Sequence, residues 1–101
     1  MSVPKFNWED AKCCDTSHLT AAGNVKAAAG VVFWITACET AGTAAAFVLN
    51  DATSGTGSEV ATFKCPANTS IMQIFEPAIY CATGIRLGTV GTALEITVGY
   101  A

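Results

Sequence analysis

Leu94-Glu95-Ile96-Thr97-Val98-Gly99-Tyr100 alternates apolar side chains with small or polar ones, without a break. Successive side chains of a β-strand point to opposite faces, so this stretch predicts a strand with Leu94, Ile96, Val98 and Tyr100 on one buried face. Upstream, 59–65 repeats the pattern: Val60, Thr62 and Lys64 face one way, Ala61, Phe63 and Cys65 the other. Pro66, which has no N–H to give a ladder, stops that strand. Residues 31–36 are Val-Val-Phe-Trp-Ile-Thr, all β-branched or aromatic, and read as a strand covered on both faces. Further strands are predicted over 44–49, 70–75, 79–82 and 85–87. Turn formers at 39–43 and 50–58, then Glu76-Pro77 and Thr83-Gly84, separate them.

Seven short strands with turn signals every eight to twelve residues or so predict an all-β fold. The expected form is an antiparallel β-sandwich, either jelly-roll-like or a small barrel. The Ala-rich stretch 21–29 has helical propensity, but Gly23, Val25 and Gly30 weigh against a helix. Residues 1–22 show no sustained period and hold Pro4 with many of the charges. They read as an extended N-terminal arm, leaving 23–101 as the sandwich domain. Phe6 and Trp8, with Lys5 beside them, are candidate partner-binding residues, because so short an arm cannot bury two large aromatics within itself. Trp34 is the fourth candidate, although a tryptophan in so apolar a strand is more often core than contact surface.

With 101 residues there is room for one domain and one core. The chain is 51% hydrophobic and only 13% charged, about half the usual charged share of ~25%. Either a membrane segment or a surface hidden in an assembly would account for this. The longest apolar stretch, near 27–38, is broken by Gly30 and Thr36 and falls short of the ~20 residues a spanning helix needs. Residues 1–15 carry Lys5, Glu9, Asp10, Lys12 and Asp15 and no apolar core of a signal peptide, which predicts a protein made and kept in a cytoplasm. The assembly reading is therefore preferred. A net charge of −3, with Lys5, Lys12, Lys26, Lys64 and Arg86 scattered, argues against nucleic acid as a partner.

The five cysteines, Cys13, Cys14, Cys38, Cys65 and Cys81, are expected to be reduced and to act largely as small buried hydrophobes. Cys13-Cys14-Asp15-Thr16-Ser17-His18 gathers thiols, a carboxylate and an imidazole. Adjacent cysteines rarely both reach one tetrahedral ion, and no second pair completes a site. The same cluster has no oxyanion element to make a Cys-His nucleophile work. Glu39, Asp51, Glu59, Glu76 and Glu95 sit beside turns or on outward strand positions, with no pair spaced for acid–base chemistry. Gly55-Thr56-Gly57-Ser58 lacks the lysine and helix of a phosphate loop and reads as a hairpin tip. Asn68-Thr69-Ser70 matches a glycosylation acceptor but, without secretion, marks a polar loop. No catalytic, cofactor-binding or metal-binding residue is expected, and the chain is not expected to be an enzyme.

Three segments together carry a resemblance: the opening strand 31–36, the strand and polar hairpin of 47–57, and the ending Gly84-Ile85-Arg86-Leu87-Gly88 followed by 94–100. In their order, over about three quarters of the chain, it resembles the small β-sandwich structural proteins of tailed phages, those that decorate or cement capsids or form head fibres. The cysteine content departs from that pattern. The resemblance implies a virion location, a major capsid protein or other virion protein as partner, and homo-oligomers, commonly trimers. The alternatives are a head-fibre base or tail protein, or a secreted carbohydrate-binding or adhesin-like module with Trp34 or Trp8 as sugar platform and disulfides among the cysteines.

Overall fold

The computed structural model describes residues 14–101, and every regular element among them is a strand. In chain order these are β1 (Asp15–Leu19), β2 (Gly23–Lys26), β3 (Gly30–Glu39), β4 (Ala45–Asp51), β5 (Glu59–Cys65), β6 (Ser70–Cys81), β7 (Ile85–Val90) and β8 (Leu94–Tyr100). They form two four-stranded antiparallel sheets. Sheet A has the order β1-β8-β3-β6 and sheet B the order β2-β7-β4-β5.

The pairings β1–β8, β2–β7, β3–β6 and β4–β5 are nested about the 52–58 loop. The chain is thus one long hairpin rolled over on itself, and β3–β8 and β4–β7 zip the roll together. This resolves the expected sandwich, jelly-roll-like or barrel, into a double-sheet jelly roll.

The period-2 pattern explains the core. Val32, Ile35 and Ala37 of β3 and Leu94, Ile96 and Val98 of β8 turn inward from sheet A. Phe47, Leu49, Ile85 and Leu87 meet them from sheet B. Phe47 stacks on Phe63 at 5.0 Å between ring centroids, and Phe63 tilts against Phe75 at 6.1 Å, so β5 and β6 face each other across the sandwich. Cys65 and Cys81 are fully buried beside them, behaving as the small hydrophobes expected.

Three sequence expectations about the strands need correction. Asp15–Leu19, assigned to the arm, is a strand paired with β8 from Asp15↔Tyr100 to Leu19↔Ile96. The arm's remaining expectations, including Lys5, Phe6 and Trp8, lie outside the described residues. Within 21–29 the regular element is the short strand β2, in agreement with the glycines and Val25 that weighed against a helix. Asn50 and Asp51, read as loop, complete β4. Residues 70–75 and 79–82, read as two strands, are one twelve-residue strand, β6, with a cis Glu76–Pro77 bond. Proline is tolerated there because β6 is an edge strand and its pairing with β3 is irregular at that point.

Candidate protein-contact surface

The outward side of sheet A is set by a bulge in β3. Between Val32 and Trp34 the register slips, so Val32 and Ile35 both face inward although three residues apart. Trp34 is thereby turned away from the core. Its strand neighbours are Gly99 of β8 and Ile74 of β6. A Cβ added at Gly99 would come within 2.2 Å of Trp34 Cε2 and 2.4 Å of Nε1. The indole therefore lies flat across β8, and glycine is what leaves room for it. The expectation that 31–36 is covered on both faces is corrected here: Trp34 is half-buried, and among the described residues no element packs on that side.

Beyond Trp34 runs β6, where Met72 at 57%, Ile74 at 63% and Tyr80 at 65% are large, apolar and exposed, with the exposed Glu76-Pro77 between Ile74 and Tyr80 in the strand. Register places Met72 beside Thr36 and Tyr80 beside Val31. The result is an apolar strip of Tyr80, Trp34, Ile74 and Met72 along one margin of the sheet. The opposite margin is polar. His18 Nδ1 shares a hydrogen bond with Thr97 Oγ1 at 3.1 Å, and Nε2 lies 3.6 Å from Glu95 Oε1 in an exposed contact of little energetic weight. Strand geometry also separates Asp15 from His18, which fall on opposite faces of β1. Among the described residues no three side chains are grouped to hold a metal ion.

The loop-bearing ends of the sandwich contrast with this face. At one end Glu39, 2% exposed, accepts N–H bonds from Ala41 (2.7 Å), Gly42 (2.8 Å), Thr43 (3.1 Å) and Asn68 (2.9 Å). The Asn68 bond, followed by the other three, holds its carboxyl below the usual range despite the opposing effect of burial. A half-open hollow of about 420 Å³ lies here, lined by Glu39, Ala41, Thr43, Ala45, Gly91 and Thr92. Its carboxylate is already spent on the turn.

At the other end Asn50, fully buried, donates to Thr56 O and Gly57 O (3.0 and 2.9 Å) and accepts from Gly88 N (2.9 Å). Asp51 accepts from Thr83 (2.8 Å), Ala82 (3.1 Å) and Gly84 (3.3 Å), with the Thr83 bond doing most to lower its pKa. Arg86 Nε donates to Gly55 O at 2.9 Å and Nη1 to Asn24 Oδ1 at 3.1 Å. Cys81 has its thiol pKa pushed up by burial and then by the Asp51 charge. No buried side-chain nitrogen or oxygen among the described residues lacks a partner.

Of the four sequence-predicted contact residues, Trp34 therefore lies on the outer face of sheet A. Sequence reading missed Met72, Ile74 and Tyr80. The signal for Met72 and Ile74 was present in 70–75, where apolar side chains stand on both faces of a predicted strand. No family model matches this chain, and no curated protein and no solved structure does so either.

Proposed function

We propose that this chain is a virion structural protein of a tailed phage, a capsid decoration or cement protein bound to the lattice of the major capsid protein. The observation that carries the reading is the apolar strip of Tyr80, Trp34, Ile74 and Met72 on sheet A, on which no element among the described residues packs. Exposed apolar groups collected on one face mark contact sites, and large aromatic side chains dominate such contacts. A chain that is only 13% charged can pack closely against another protein, and a repeating lattice multiplies weak contacts. The jelly roll is an architecture shared by capsid and lectin domains, which supports the reading by analogy alone. A sugar platform fits less well, because the strand neighbours of Trp34 are Gly99 and Ile74, which offer no side-chain hydrogen-bonding groups.

Mass spectrometry and immunogold labelling of purified virions, made from the genome that encodes this chain, test the proposal. The expected result is many copies per head, falling at least tenfold when Trp34→Ala and Tyr80→Ser are combined, as loss of roughly 1.4 kcal/mol per contact implies. Virions that contain no copy of the chain would refute it. Copies confined to the tail or to a few fibres would move it to another virion position.

A further inference from the structure

The geometry points to β6 as the seat of a two-fold contact between two copies of this chain, paired antiparallel over residues 70–74 with Met72 opposite Met72. The pairing goes beyond the virion reading and stands without it. A sheet edge presents unpaired N–H and C=O groups, and natural proteins blunt such edges with charge, brevity, bulges or proline. Each of the four edges carries such a device, but on β6 they are confined to Glu76-Pro77 and the register shift beside it. β1 has five residues and carries Asp15 and His18; β2 has four residues and a register shift; β5 has Glu59 and Lys64 near its two ends. β6 is the longest edge at twelve residues, and Ser70-Ile71-Met72-Gln73-Ile74-Phe75 contains no charge, no glycine and no proline.

The open groups of that edge can be assigned. Glu39 N–H donates to Thr69 O at 3.0 Å, which makes Glu39 and Thr69 a hydrogen-bonded pair one step beyond Cys38↔Ser70. Bonded and non-bonded pairs alternate along an antiparallel ladder. Ile71 and Gln73 therefore bond to β3, while Ser70, Met72 and Ile74 direct both main-chain groups to the open side.

A second copy fits this edge better than an unrelated strand does, because the edge is complementary to itself. Centring on Met72 sets Ser70 opposite Ile74, and each of the resulting pairs can exchange two main-chain bonds. Glu76 then falls opposite Asn68 of the other copy, so no like charges meet. The exposed Met72 and Ile74 of both copies come together, joining two apolar strips into one wider face. So short an edge buries less than the ~800 Å² per partner of a standard interface, so the dimer is weak and concentration-dependent.

Sedimentation equilibrium over a wide concentration range reads this out on the full chain. The expected result is a mass that rises toward twice the monomer, and not beyond it. Met72→Lys and Met72→Glu each point a side chain to solvent in the monomer. Each is expected to weaken association at least tenfold by setting like charges face to face, and an equimolar mixture of the two to restore it. Met72→Pro removes only an N–H on the open side and is expected to stay folded and monomeric. A wild-type chain that remains monomeric at every concentration overturns the pairing. So does a trimer, a mixture that fails to reassociate, or a dimer lost on deleting residues 1–12 yet kept in Met72→Pro. None of these readouts involves a virion, so failure of the phage reading leaves them intact.

Discussion

The loop-bearing ends of this sandwich and the outer face of sheet A divide structure from contact in an unusual way. Binding groups of β-sandwiches commonly sit on loops held by a rigid scaffold. Here side chains at strand ends take up main-chain groups of the loops: Glu39 closes the 40–43 turn and the 66–69 connection, while Asn50 and Asp51 tie 52–58 and 82–84 to β4 and β7. The β6 margin of the outer face of sheet A holds the reverse inventory, exposed apolar side chains on which no element among the described residues packs. The difference teaches that saturation of polar groups, not position at a loop, tells where a domain has contact capacity left.

Changes at the ends should cost stability and leave contact capacity alone; changes on the face should do the opposite. The largest effect is expected from Asn50→Ala, which strips partners from Gly88 N–H and from the Thr56 and Gly57 carbonyls in a fully buried site. A loss of roughly 3 kcal/mol in chemical denaturation is expected. A loss below about 1 kcal/mol would show that water replaces the amide and would weaken the contrast.

Acid should act at the same ends. Glu39 and Asp51 have folded pKa values lowered from the ordinary 4.5 and 3.8. Their contribution to stability is complete above those ordinary values and is lost as pH falls through the lower folded ones. Thermal melts of the wild type from about pH 7 down to pH 2.5 should therefore fall below about pH 4.5. The double variant Glu39→Gln, Asp51→Asn should start lower and show a flatter profile. Parallel profiles for the two proteins would contradict this assignment.

The smallest stability effect belongs to the face. Ile74→Thr keeps a β-branched residue on an exposed position and should stay within about 0.5 kcal/mol of the wild type. Dimer formation and particle binding should both weaken in the same variant. A destabilisation comparable to that of Asn50→Ala would place Ile74 in the fold rather than on the contact side.

Strand content was legible wherever period 2 met a clear stop. β5 and β8 match their sequence reading to the residue, because Pro66 bounds one and unbroken alternation marks the other. Asp15–Leu19 was not legible: a polar edge strand buries so little that its sequence carries no apolar alternation. Asn50 and Asp51 misled for the opposite reason, since turn-forming side chains here bond across the end of a strand instead of to their own backbone. The proposed contact face was half legible. Trp34 was singled out, but its direction depends on a one-residue slip in β3 that no local propensity encodes. For 70–75, apolar residues on both faces fit a buried strand and an exposed edge equally well; only the sheet order decides.

The nested pairing has a consequence for where the chain can be opened. β1 lies against β8, with Asp15 opposite Tyr100, so both ends of the described chain leave the molecule at one corner. The far turn of the same long hairpin, 52–58, is a polar loop. Joining the two ends and cutting that loop would preserve every strand pair in both sheets. Seen this way the jelly roll is a ring of strands, and its beginning is a genetic convention that could be moved without redrawing the architecture.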